Sequence, residues 1–246
     1  MNRPVPGFFF PLAAILLTTV VAMPILVLLA TVSPSELIAA FGRPAALDAV
    51  RVSIVASSAA TAVATLAGVP AGYWLARTPR RIGAPILFVL ALPLAFPPIA
   101  SGILLLSALR TTPLPDSLAG VAAAEFFVSG SFVAIASAAA FAALDPLRED
   151  AARTLGVSEW RIFRSIALPA AAGNVAAGVV FTWLRAIGEY GATSIVAYHP
   201  TSLPVALYVS LSASGVRAAL ALTYGFVLLA VAVLALQWVF RRRVVV

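Results

Sequence analysis

The chain alternates long apolar blocks with short polar ones. The first apolar block, residues 11–32, follows a short head that carries Arg3. At a rise of about 1.5 Å per residue it matches a hydrocarbon core of roughly 30 Å. A cleaved signal peptide is the rival reading, but the block is long for one and lacks a clear cleavage site. A second block, 47–76, is rich in small residues and dotted with Ser53, Ser57, Ser58, Thr61 and Thr65. That composition suits close helix packing better than a lipid-facing position. Gly68, Pro70 and Gly72 are expected to bend or loosen its last turns. The third block, 85–109, contains Pro93, Pro97 and Pro98. Proline at membrane depth frees backbone carbonyls, so this block is either simply bent or a discontinuity that lines a pathway. Blocks at 118–140, 170–187 and 220–240 follow, and Glu125 and Gly130 interrupt the first of these. Six spans is the count this pattern predicts, in an all-α integral membrane protein.

Composition agrees with this reading. Apolar residues make up 62% of 246 and charged residues only 10%, too few to clothe a water-soluble surface. The formal net charge of +7 is entirely arginine in origin and lies between apolar blocks, not on one soluble face, which argues against nucleic-acid binding. No lysine is present, so a Walker A site or a Schiff base is excluded within the chain. No cysteine is present, and His199 is the single histidine, so thiolate, iron–sulfur and imidazole-rich metal chemistry are not expected. Ser129-Gly130-Ser131 has no histidine at membrane depth to activate it, and His199 itself reads as a surface feature. The expectation is a non-enzyme with no catalytic residues, no cofactor and no metal.

Charge also sets a direction. With the N-terminus inside, Arg3, Arg77, Arg80, Arg81, Arg148, Arg153, Arg161, Arg164, Arg241, Arg242 and Arg243 fall on the cytoplasmic side. The other five, Arg43, Arg51, Arg110, Arg185 and Arg217, fall near the outer side beside Glu36, Asp48, Asp116, Glu125 and Glu189. This follows the positive-inside rule and predicts a multi-pass protein of the cell membrane with both termini cytoplasmic. Tyr73, Trp74, Trp238 and Phe240 stand near the inner ends of spans, where amphipathic rings prefer to sit.

One cytoplasmic loop, 144–169, differs from the rest. Asp145-Pro146 is a helix start, Glu149 and Asp150 complement the dipole of the first turns, and Gly156 is a C-terminal cap. Ser158 reads as the cap of a second amphipathic helix, with Leu155, Trp160, Ile162 and Phe163 on the apolar face. On composition alone this is a helix resting on anionic lipid, with docking to a soluble partner the alternative.

The spacing within this loop carries a resemblance. Asp150-Ala151-Ala152, then Gly156, Ile166 and Leu168-Pro169, resembles the EAA loop of permease subunits of binding-protein-dependent ABC importers. Asp150 stands where that family usually has glutamate. A second stretch, Leu184-Arg185-Ala186-Ile187-Gly188-Glu189-Tyr190-Gly191-Ala192, is similar to the Ala-Arg-Ala-Leu-Gly-Glu-Phe-Gly-Ala of molybdate, tungstate and sulfate permeases. Thr201 to Tyr208 resembles their Thr-x-x-Leu-Pro-x-x-Ile-Tyr run, while Val196-Ala197-Tyr198-His199-Pro200 replaces the Ala-Gly-Asn-Ile-Pro-Gly of molybdate permeases.

The resemblance implies the fold of a type I importer permease, with an N-terminal helix and outer connection over 1–46 and a permease core over 47–243. It implies ATPase coupling through Asp150, Ala151, Ala152 and Gly156, with Ile166, Leu168 and Pro169 as support. Implied partners are a second permease subunit, most simply a homodimer, two cytoplasmic ATP-binding subunits that hydrolyse the ATP, an extracytoplasmic solute-binding protein, and membrane lipid. The implied cargo is an oxyanion, molybdate or tungstate first, with sulfate, phosphonate, thiamine and iron as alternatives.

Ser57, Thr61, Pro97, Pro98, Arg185 and Glu189 are the candidates for the pathway or gate. Ser57 and Thr61 share a face at i,i+4, as do Arg185 and Glu189. The latter two either neutralise each other, form an outer gate or touch solute. An ion-coupled secondary transporter is the rival from another class; it needs membrane-depth carboxylates or inverted repeats, and Glu125 and Glu189 are the only candidates for the former.

Overall fold

The computed structural model describes residues 8–244, and all regular elements among them are helical. Arg3 lies outside the described residues, as do the side chains of Phe240, Arg241, Arg242 and Arg243. The elements are α1 (Phe9–Thr31), α2 (Pro34–Phe41), α3 (Pro44–Arg77), α4 (Arg80–Ala95), α5 (Pro98–Leu109), α6 (Leu118–Ala142), α7 (Leu147–Thr154), α8 (Glu159–Ile162), α9 (Leu168–Ile187), α10 (Gly191–Val196), α11 (Leu203–Ser214) and α12 (Val216–Val244). A π-helical segment, Phe163–Ala167, joins α8 to α9.

Five described helices are long and apolar enough to cross a membrane: α1, α3, α6, the run from Glu159 to Ile187, and α12. The third apolar block is not a single helix. It breaks into α4 and α5, which meet at 111°, and it makes a sixth span only if the bent pair is one crossing. The cause is local: Pro97 and Pro98 offer no amide to α4, and the residue before a proline is driven out of the helical region. Phe96 accordingly adopts φ −80°, ψ 143°.

The interrupted fourth block gives the most buried of these helices. α6 runs unbroken through Glu125 and Gly130, with 56% of its apolar window covered by neighbours. α3 likewise runs unbroken through Pro70, so the expected loosening does not end the helix. Its glycines serve close approach instead. A Cβ on Gly68 would lie 2.8 Å from Val133 Cγ1, and one on Gly72 would lie 2.6 Å from Ser137 Cβ and 2.8 Å from the Ala134 carbonyl. Small residues let backbones meet where lipid supplies no hydrophobic drive. α9 packs against both α3 and α6, and α1 lies at the periphery, touching α12 through Leu28, Val32 and Ala221.

The connections at 33–43, 110–117 and 188–215 hold more structure than the apolar blocks predict. α2 is capped by Ser33, whose hydroxyl accepts from the Glu36 amide while Glu36 accepts from the Ser33 amide. Beyond α9, α10 packs on α5 and α6, and α11 packs on α12 and α3. The Ser53 hydroxyl accepts the free Leu203 amide at the start of α11, 2.8 Å away. Asp116 accepts from the Tyr198 amide at 3.0 Å, which ties the α5–α6 connection to the exposed His199 turn.

Candidate functional site: the 144–169 loop and a second polar cluster

α7 starts at the Asp145-Pro146 pair, where the Asp145 carboxylate accepts from the Leu147 amide at 3.0 Å. It ends in a two-bond motif: the Gly156 amide donates to Arg153 and the Val157 amide to Ala152. Gly156 sits at φ +77°, with open space where a Cβ would go, so glycine is needed there for its backbone alone. Ser158 stands at the start of α8, but its side chain makes no capping bond. The second helix is not a separate amphipathic element either. α8 passes through the π segment into α9, where the Leu168 amide reaches the Phe163 carbonyl. Pro169 has no amide to close the next α-helical bond, which accounts for the widened turn before it.

The loop turns part of its apolar surface inward and part outward. Ile162 and Phe163 are buried, whereas Leu147, Leu155 and Trp160 are 70%, 82% and 65% exposed. The expected apolar face is therefore split, because the turn at Gly156 directs Leu155 away from the bundle. Asp150, Ala151, Gly156 and Pro169 are also exposed, Ala152 is buried, and Ile166 and Leu168 are half-buried.

Beneath α7 lies a joint that the sequence reading missed. Glu149, 1% exposed, receives the Tyr73 hydroxyl at 3.0 Å and the Arg77 guanidinium through both Nε and Nη2. Arg77 Nη1 also donates to the Phe141 carbonyl, so one guanidinium binds the ends of α3 and α6 and the start of α7. Tyr73, Phe141 and Phe163 form an aromatic cluster below, with centroids 5.1–6.0 Å apart. Arg153 links Glu149, Asp150 and Glu159 across the glycine turn. Hydrogen bonding from Arg77 holds the Glu149 carboxyl below the usual carboxylate range against the opposing effect of burial, and Arg153 does the same for Glu159. Sequence reading treated Glu149 as a dipole complement and Arg77 as an inner charge. An arginine ending a long helix was visible, but a partner 72 residues away was not.

The second cluster takes residues from the middle of α3, the first half of α6 and the C-terminal end of α9. Arg185 pairs with Glu189, whose other oxygen accepts from the Ala192 amide at 2.9 Å and so starts α10. Arg185 also borders an open groove lined by Phe132, Ala136, Gly178, Phe181 and Leu184. Ser57 and Thr61 are buried on α3, without a hydrogen bond of standard geometry at either hydroxyl. Ser57 faces Glu125, which is fully buried within α6 and within electrostatic reach of Glu189. Glu125 is thus not one of the acids balancing outer arginines; among the described residues it has no ion pair. Ser58 instead accepts from the Trp183 indole at 3.2 Å. Pro97 and Pro98 are exposed at the α4–α5 break, and Pro98 packs on Gly191 beside Glu189. Pro98, Arg185 and Glu189 are thus drawn together around Gly191 and Ala192, whereas Ser57 and Thr61 lie near the middle of α3, with Ser57 facing Glu125.

An all-helical bundle with five membrane-length helices and a broken proline helix is the architecture of a multi-span membrane protein. The chain belongs to the family of binding-protein-dependent transport system inner membrane components, whose pattern matches residues 68–246. It is 40% identical over 205 residues to a probable molybdenum ABC transporter permease protein of Haloferax volcanii, covering 80% of this chain and 76% of that one. It is 37% identical over 220 residues to the molybdate/tungstate transport system permease WtpB of Thermococcus kodakarensis, covering 89% of each. Among solved structures it resembles the inward-facing MetNI methionine ABC transporter, with a TM-score of 0.68 at 16% identity over 80% of this chain and 95% of that one. A bacterial importer of the acidic polysaccharide alginate gives 0.64 at 17% identity over 96% and 95%. These two likenesses concern the fold.

Proposed function

We propose that this chain is the membrane permease subunit of an ATP-driven importer, with the fold of a type I importer permease and a core over 47–243. It forms the path for an oxyanion, molybdate or tungstate first, and takes its energy from a separate ATPase that docks on loop 144–169. The observation that carries this reading is the pairing of family membership with that loop: Leu147 and Leu155 are exposed outside the spans, at the two ends of a short helix braced by buried charge. Large apolar groups held out on a rigid support suit burial by a protein partner.

Docking then falls to Asp150, Ala151, Ala152 and Gly156, with Ile166, Leu168 and Pro169 as support at the π turn. Both termini and this loop lie in the cytoplasm of a bacterial or archaeal cell. A second copy completes the path, two ATP-binding subunits sit below it, and a solute-binding protein delivers cargo above. ATP-driven closure of the two ATPases draws the loops together and switches the path between two states, since energy passes only through an element that both states hold differently. Ser57, Thr61, Pro97, Pro98, Arg185 and Glu189 contribute to the pathway or its outer gate, where hydroxyls and partly neutralised charge pass an anion without trapping it.

The molybdate and tungstate assignment draws on the names of the two relatives above. Sulfate is the second reading, favoured by 31% identity over 161 residues to the sulfate permease CysW of Synechocystis. Co-expression with an ATPase and a solute-binding protein encoded beside this gene tests the proposal. The expected result is a stable complex whose ATP hydrolysis rises with molybdate-loaded binding protein, and loss of that rise on deleting 150–156. Uptake that continues without any ATPase would overturn it in favour of an ion-coupled transporter.

A further inference from the structure

The loop has two kinds of attachment to the bundle. Along the chain it joins α6 through the turn at residues 143–146 and joins α9 through Gly156 and the π segment. Across the chain it reaches α3, and the polar contacts between α7 and α3 pass through Glu149, from Tyr73 and Arg77. The carboxylate is almost wholly covered, with both oxygens engaged, and the guanidinium that holds it is fixed in turn by the Phe141 carbonyl. Such a planar, two-oxygen contact resists rotation as well as separation. Only a few residues of α7 point at α3; the side that carries Asp150, Ala151 and Leu155 faces away and stays exposed.

We propose that Glu149 is a positioning residue that makes α7 and the C-terminal end of α3 move as one body. The proposal rests on the coupling role given to the loop above and adds the route by which its motion reaches the membrane. α3 is a continuous helix of 34 residues. Thr61 and Ser57 lie about four and a half and five and a half turns back from Arg77, about 24–30 Å along the axis at 1.5 Å per residue. A pull on α7 therefore arrives at the polar face of α3 along one continuous helix, which runs unbroken through Pro70. The chain connections to α6 and α9 run through a hydrogen-bonded turn and a buried π segment, whereas the joint to α3 is the one made by charge. Arg153 belongs to the other side of the device: it fixes α7 to α8 through Glu159, so both flanks of the Gly156 turn follow the same motion.

The test uses the complete complex, permease with its ATPase and binding protein, in proteoliposomes, and reads solute uptake per ATP hydrolysed. Glu149→Gln is expected to lower that ratio about fivefold or more, the range of an ordinary coupling energy. Arg77→Lys, which keeps the charge but not the fork, is expected to fall between it and the parent. Tyr73→Phe, which leaves the ion pair whole, is expected to give a smaller drop in the same direction. A merely stabilising pair would change the yield of assembled complex and leave uptake per ATP untouched, and that result would overturn the proposal. If Glu149→Gln does not assemble, Arg77→Lys and Tyr73→Phe decide by the same ratio. Failure of the underlying coupling role is seen separately, as absence of ATPase from complexes of the unaltered chain.

Discussion

α3 and α6 meet along their backbones at Gly68 and Gly72, with Val133, Ala134 and Ser137 where side chains would otherwise stand. α7 meets α3 quite differently, through a carboxylate, a guanidinium and a phenol over a layer of three rings. The first contact is made by leaving atoms out and the second by placing charges. In lipid there is little hydrophobic gain in bringing helices together, so close packing of small residues holds them. At the end of the bundle charges can be hydrated in the separated state, so their pairing there can be tuned by a single substitution. The bundle is thus fixed by shape and its loop by electrostatics. Only the second kind of joint suits the proposed role of α7 as an element that a partner pushes.

The two joints should break differently. Gly72→Val is expected to have the largest effect, because the added atoms meet the α6 backbone, where no side chain can swing away. Overpacking of this kind costs about 1–3 kcal/mol or more, and the measurement is yield of monodisperse protein in detergent. Glu149→Gln should leave the bundle folded and loosen the loop, by about 2 kcal/mol for hydrogen bonds to a charged group. Faster cleavage by trypsin at the exposed Arg148, with unchanged thermal melting of the bundle, would show it.

Acid should do the same by another route. The folded Glu149 carboxyl titrates below its ordinary value because of Arg77, so its contribution is complete above the unfolded value of about 4.3 and is lost as pH falls through the lower, folded one. The chain has no cysteine, so Arg81→Cys and Arg148→Cys accept a pair of spin labels; their separation should stay constant to about pH 4 and widen below it. In Glu149→Gln that transition should be absent. The smallest change is expected at the opposite end. Arg185 and Glu189 form a local i,i+4 pair, and Glu189→Gln removes that pair and part of the α10 cap, worth about 1 kcal/mol. Exchange of the Ala192 amide should quicken while α3, α6 and α7 are unaffected.

What the sequence made legible follows the same division. α1, α3, α6, α9 and α12 announced themselves as apolar blocks because length and composition alone decide whether a helix can span lipid. The Pro97-Pro98 break was visible as a disturbance, but not as a 111° turn, since direction depends on what α5 packs against. α2 carried a readable capping box in Ser33 and Glu36 and was overlooked among polar residues. α10 and α11 could not be separated from an outer loop, because they are short and are held by contacts such as Ser53 with Leu203. In the loop, Asp145 and Gly156 were legible from local backbone chemistry. Glu149 was not, because its role depends on residues 72 and 76 positions earlier. Glu125 was read both as an outer acid and as a candidate membrane-depth carboxylate, and the packing of α6 against α3 shows it buried beside Ser57.

The most direct test of the importer reading is uptake of labelled molybdate by proteoliposomes holding the permease, its ATPase and its binding protein, with ATP enclosed on the side of the 144–169 loop. Uptake is expected to require ATP and the binding protein together, and to vanish when residues 150–156 are deleted although the bundle still folds. Uptake that proceeds at the same rate without ATP, or with the loop deleted, would contradict the account.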